Sequence, residues 1–102
     1  MVERNQPTVN WNLRASQRLK RIYDEILQES YSSAEKVRSG IEKAVDQLPS
    51  NPEKYPPDKY KKDNPGNYRA FEKYSYRVAY KHTDKEIRIL RIRHVKEEPK
   101  AY

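Results

Sequence analysis

The residues able to do chemistry crowd the second half of the sequence. Arg69, Arg77, Arg91 and Arg93 fall in segments where apolar and polar residues alternate, and His94 closes the last of them. Arginine keeps its charge at physiological pH and grips phosphate through two parallel hydrogen bonds. Histidine titrates near neutrality and can carry a proton. Residues 1–58 hold nine basic and nine acidic side chains, whereas residues 59–102 hold thirteen basic and six acidic. The whole net charge of +7 therefore sits in the last two fifths of the chain. Solubility alone would not segregate charge in this way, which points to a face for a polyanion or an acidic partner. Outward members of the nine tyrosines can add stacking on bases.

What is missing narrows the chemistry. The sequence has no cysteine, which removes disulfides, thiolate metal sites and a cysteine nucleophile. Two histidines, His82 and His94, argue against a histidine-rich metal centre, and no metal or other cofactor is expected. His82, beside a turn, reads as a surface residue. The start, Met1-Val2-Glu3-Arg4, lacks the apolar run of a signal peptide, and no stretch approaches the roughly 18 apolar residues of a membrane span. The expectation is a single cytoplasmic domain over residues 1–102 with no membrane contact.

Elements with two different periods must position these groups. Thr8-Val9-Asn10-Trp11, β-branched and aromatic after Pro7, reads as a short strand with Trp11 as a core anchor. From Leu13 to Ser30, Ala15, Leu19, Ile22 and Ile26 recur at helical spacing. A second helix is expected from Ser32, where Ser32 and Glu35 have capping-box spacing; its stripe is Ala34, Val37, Ile41, Ala44 or Val45, and Leu48, interrupted by Gly40. The short break between the two stripes predicts an antiparallel hairpin. Residues 49–66 contain five of the seven prolines and form an extended crossover, pinned by Tyr55 and Tyr60.

After the crossover the period falls to two. Tyr68–Lys73, Tyr76–His82 and Ile87–His94, joined by short links, predict an antiparallel meander. The last segment is irregular: Ile87 and Ile89 share a parity with Arg91 and Arg93, and Leu90 and Ile92 with His94. A bulge or a central, doubly buried strand would each explain that. The predicted architecture is α+β: an N-terminal strand, then an antiparallel helical hairpin packed on one face of an antiparallel sheet. The other face is left open, with Arg69 and Arg77 at corresponding outward positions.

In this order and spacing the segments resemble the RelE/ParE superfamily of toxins from bacterial type II toxin–antitoxin pairs, associated with plasmid stabilization. The resemblance spans roughly Thr8 to Tyr102. It rests on Leu19-Lys20-Arg21-Ile22-Tyr23-Asp24-Glu25-Ile26 with Ala34 and Val37, and on Tyr68-Arg69-Ala70-Phe71, Tyr76-Arg77-Val78-Ala79-Tyr80 and Ile87 to His94. RelE-like members are ribosome-dependent mRNA endonucleases, whereas ParE-like members inhibit DNA gyrase without catalysing a reaction. A shared fold does not choose between them. A non-toxic nucleic-acid-binding module is a third reading.

Metal-free RNA cleavage needs an acceptor for the 2′-hydroxyl proton, cations on the phosphate oxygens and a donor for the departing 5′-oxygen. The resemblance maps Arg69 onto a catalytic lysine of RelE-like nucleases, Arg77 onto their strand arginine, Lys96 near a second arginine and Tyr102 near a tyrosine that stacks on or activates the nucleotide. It matches His94 to a histidine found in other branches, which makes His94 the candidate general base. Lys61, Lys62, Lys73, Arg91 and Arg93 are the candidate RNA-binding set. Phe71 stands where the nucleases carry a second lysine. The resemblance implies an mRNA endonuclease acting with the ribosome as the first expectation and a gyrase inhibitor as the alternative. Either requires a cognate antitoxin, acidic in part, over the basic face or the helical hairpin.

Overall fold

A computed structural model describes residues 6–102; residues 1–5, on which the reading of the chain start rests, lie outside them. Strand β1 (Thr8–Trp11) leads into helix α1 (Leu13–Leu27) and helix α2 (Tyr31–Asp46), followed by a short 3-10 turn at Leu48–Ser50. Strands β2 (Tyr68–Lys73), β3 (Tyr76–His82) and β4 (Glu86–His94) complete the chain. No helix among the described residues is long and apolar enough to cross a membrane.

The helical hairpin forms as its stripes dictate. Ala15, Leu19 and Ile22 of α1 and Ala34, Ile41 and Val45 of α2 are buried. The start of α2 differs from expectation. Ser30, not Ser32, is the N-cap: its Oγ accepts the Ser33 N–H at 3.1 Å. Glu35 is therefore not half of a capping box. Its carboxylate accepts the Tyr23 hydroxyl at 2.6 Å and the Arg38 guanidinium at 2.7 Å, which ties α2 to α1.

The sheet order is β1-β4-β3-β2. β2, β3 and β4 form the antiparallel meander, but β1 pairs with β4 in parallel, Thr8 opposite Glu86 through Trp11 opposite Ile89. The sheet is thus mixed rather than wholly antiparallel, because β1 joins the last strand only after the chain has passed through the hairpin and crossover. The irregular pattern of β4 is a bulge. Ala79 faces Arg91 and Tyr80 faces Ile89, so Leu90 is the extra residue. One inserted residue inverts the alternation, and Ile87, Ile89 and then Ile92 all reach the core.

That core joins Leu19, Ile22, Ile41, Val45 and Leu48 to Phe71, Val78 and Tyr80, with Trp11 packed at its margin. Tyr80 is fully buried and donates its hydroxyl to the Pro52 carbonyl at 2.7 Å. Burial pushes its phenol up to about 12. Tyr55 stacks on Phe71 with ring centroids 4.9 Å apart, so the crossover is pinned where expected. The β2–β3 turn is made by Tyr74 and Ser75, both with positive φ (49° and 71°), as a two-residue hairpin turn requires. The Tyr74 ring occupies the space where a Cβ on Gly40 would lie, which accounts for a glycine inside α2.

The cap assignment makes a clear prediction. Ser30→Ala lowers stability by about 1 kcal/mol by freeing the Ser33 N–H, and Ser32→Ala changes it by much less. Urea unfolding of both variants checks this; equal losses would return the cap to Ser32.

Candidate functional site

Directly opposed residues in a sheet project from the same face. The register therefore sorts the basic residues. Arg77 opposes Glu72 and Arg93, Ala79 opposes Ala70 and Arg91, and Lys81 opposes Tyr68 and Arg88. These residues share the face turned away from the helices. The face is not open, however. The crossover and the C-terminal tail lie across it, paired to each other: Tyr102 N–H donates to the Tyr60 carbonyl at 3.0 Å, and Lys62 N–H donates to the Tyr102 carbonyl at 2.5 Å.

Beneath this strap sits Asp58, only 3% exposed. Its Oδ1 accepts Arg77 Nη2 at 2.8 Å and the Tyr60 N–H at 3.1 Å, and its Oδ2 accepts the Tyr102 hydroxyl at 2.8 Å. Arg77 also donates to Glu72 at 3.1 Å. Burial works to raise the Asp58 pKa, but the bonds from Arg77, Tyr102 and Tyr60 outweigh it and hold the carboxyl below its usual range. Burial likewise opposes the Arg77 charge, and the bond to Asp58 more than offsets it, so that pKa rises. Burial first, and then the bond to Asp58, drive the Tyr102 phenol well above its ordinary value.

Cations and tyrosines interleave around this centre. The Arg77 and Arg93 guanidiniums lie 5.0 and 5.2 Å from the Tyr60 ring, and Arg91 lies 4.0 Å over Tyr102. Lys61 and Lys81 approach the Tyr68 ring at 4.7 and 5.3 Å. Such stacking holds arginine side chains flat and limits their motion. Arg91 also donates to the Lys100 carbonyl at 2.5 Å, and Arg93 to the Glu97 carbonyl at 3.1 Å, which fastens the tail.

The expected convergence of Arg69, Arg77, His94, Lys96 and Tyr102 does not occur. Arg77 and Tyr102 do meet, through Asp58. Arg69 opposes Tyr80 and so projects from the helix side of the sheet, not outward beside Arg77. Its guanidinium donates to the carbonyls of Gly66 and Tyr55 at 2.9 and 2.8 Å, clamping both ends of the crossover. His94 opposes Tyr76, which packs on the core, and meets that ring edge-on at 5.2 Å. Its Nδ1 accepts the Lys96 N–H at 3.0 Å. The Lys96 side chain is exposed beyond the strand end. Of the expected RNA-binding set, Lys61, Arg91 and Arg93 border the tyrosine cluster, Lys62 is exposed beside it, and Lys73 lies against Tyr74 at the far hairpin end.

Asp58 is the residue that sequence reasoning missed. Its signal was slight: one acid behind Pro56-Pro57 and before three lysines, in a segment read only as linker. The assembled face can hold cations in fixed positions against an anion. It brings no histidine to Arg77, and the Tyr102 hydroxyl keeps its proton in a hydrogen bond to Asp58.

Comparisons with known proteins come down on one family. The model described as "ParE toxin of type II toxin-antitoxin system, parDE" matches residues 9–99. Among solved structures, the chain is similar to one described as "Chromosomal ParDE TA system from P. aeruginosa", with a TM-score of 0.68 and 23% identity. That match covers 87% of this chain and 96% of the other, and at this identity it speaks to the fold. No curated protein gives a sequence match.

The Asp58 network sets a pH dependence. A carboxyl whose folded pKa is depressed adds stability above its unfolded pKa, near 3.9, and loses it as pH falls through the folded value. Stability should therefore decline below about pH 4. Asp58→Asn should cost about 2 kcal/mol at pH 7 and flatten that decline. Urea unfolding at pH 7 and pH 3 measures both; an unchanged acid limb would remove Asp58 from the network.

Proposed function

The chain belongs to the ParE toxin family of type II toxin–antitoxin systems, and from that premise we propose that it acts in the cytoplasm as a non-catalytic inhibitor of DNA gyrase. This reverses the order of the two mechanisms expected from the sequence. The observation that carries it is the dispersal of the nuclease set. RNA cleavage requires base, acid and phosphate clamp around one phosphorus atom. Here Arg77 is compensated by Asp58 and Glu72, Tyr102 is committed to Asp58, and His94 projects from the opposite side of the sheet. Arg69 cannot give up a proton in any case. A protein that works by binding needs none of these groups to converge.

The same reading includes a cognate antitoxin. A shallow groove of about 400 Å3 on the helical hairpin, lined by Trp11, Leu19 and Tyr23 and rimmed by Lys20, Arg38 and Glu42, offers an apolar anchor point with charged margins. Protein partners draw affinity from such aromatic and aliphatic pockets.

The mechanism is tested by adding purified protein to a gyrase supercoiling reaction and by mapping mRNA ends in expressing cells. Supercoiling should stop while mRNA ends stay unchanged, and His94→Ala should retain growth arrest. A general base contributes about 10²–10⁴-fold, so loss of arrest with His94→Ala, together with new mRNA ends and active gyrase, would replace this reading with the endonuclease.

A further inference from the structure

A second basic feature adjoins the Asp58 network, reaching Tyr102 at one end and extending from it along α1. Strand β1 pairs with β4 only as far as Ile89, so β4 runs on beyond its neighbour. Alongside that extension, between α1 and the tail, is a groove of about 670 Å3. Six cations line it: Arg14, Arg18 and Arg21 from α1, Arg91 and Arg93 from β4, and Lys100 from the tail.

The helix dictates the arginine row. Spacings of four and three residues place Arg14, Arg18 and Arg21 on one face, about 6 and 4.5 Å apart along the axis. Each directly precedes a buried residue, Ala15, Leu19 or Ile22, so the packing that seats the core also fixes the direction of the row. Two acids, Glu97 and Glu98, also line the groove. Glu97 is taken up by an ion pair with Arg18. Arg18 Nε remains buried without a hydrogen-bond partner, and among the described residues Arg14 and Arg21 make no ion pair.

We propose that this groove binds the phosphodiester backbone of a nucleic acid. Three properties favour that ligand. A row of charges suits a linear polyanion better than a single phosphate or carboxylate. Arginine forks fit phosphate oxygens. The apolar lining is Ile92, Ala101 and the Tyr102 ring, and that ring is already covered by Arg91, which leaves little for the apolar anchors on which a peptide would depend. Binding through phosphates is sequence-independent and weakens steeply with salt. The proposal does not rest on the identity of the toxin's enzyme target, and its test reads neither growth arrest nor supercoiling.

The test is fluorescence anisotropy of the whole protein with labelled duplex DNA, single-stranded DNA and single-stranded RNA of equal length, titrated over salt. A polyglutamate peptide serves as the competing polyanion. At least one nucleic acid should bind, and the tightest identifies the natural source. The doubly substituted Arg14→Ala/Arg21→Ala protein should weaken all sequences alike and lower the log–log salt slope by about 2. Both side chains are exposed, and circular dichroism confirms that the variant folds. Absence of salt-dependent binding would overturn the proposal, as would an unchanged slope in that variant. Loss of binding in Lys36→Ala/Lys43→Ala instead would also overturn it, by moving the contact to α2. Polyglutamate binding as tightly as the nucleic acids would make the groove a site for acidic polypeptides.

Discussion

Taking the Asp58 carboxylate out of water costs several kcal/mol unless its charge and lone pairs are met. Three separate parts of the chain meet them: Arg77 from the middle of β3, Tyr60 from the crossover and Tyr102 from the tail. Neither the crossover nor the tail lies across the sheet as a strand or helix, so they are held by such side-chain bonds together with the backbone bonds between them and the arginine bonds to their carbonyls. The carboxylate converts two irregular segments into a layer. The same bonds engage Arg77 and Tyr102, the two candidate site residues that the fold brings together.

The bulge at Leu90 has a comparable reach. Without it, Ile92 would turn away from the core that Ile87 and Ile89 enter, and Arg91 and Arg93 would turn toward it. One additional residue keeps three isoleucines beneath the helices and places two arginines where they stack on Tyr60 and Tyr102. The basic surface and the apolar core are therefore products of a single local irregularity. Membership of the ParE toxin family fits a fold of this kind, in which one scaffold carries differing surfaces and its activity is decided by side chains rather than by topology.

Charge in this molecule is arranged in two ways. On the strapped face, cations are held by tyrosine rings, carbonyls and acids, and much of their charge is spent on the fold. In the groove beside α1, Arg14 and Arg21 are exposed and make no ion pair among the described residues. Free cations attract a polyanion more strongly than compensated ones do, so the count of basic residues in a segment is a poor guide to where a ligand is held.

Much of the fold is legible in the sequence because it follows from periodicity. The stripe of Ala15, Leu19 and Ile22 identifies α1, alternation identifies the meander, and the prolines of residues 49–66 exclude an α-helix or a central strand there. The net charge and its uneven division are also sequence properties. Contacts between distant segments are not. The N-cap is Ser30 rather than Ser32, and Glu35 bonds Tyr23 across the hairpin instead of completing a capping box. Arg69 and Arg77 parted to opposite faces because register, set by strand pairing, decides which parity turns inward. Asp58 became the centre of the site only when a crossover without periodicity met a tail more than forty residues later. Local pattern records the free energy of burying a stripe; which charge meets which partner is decided by chain closure in three dimensions, and no spacing in the sequence encodes it.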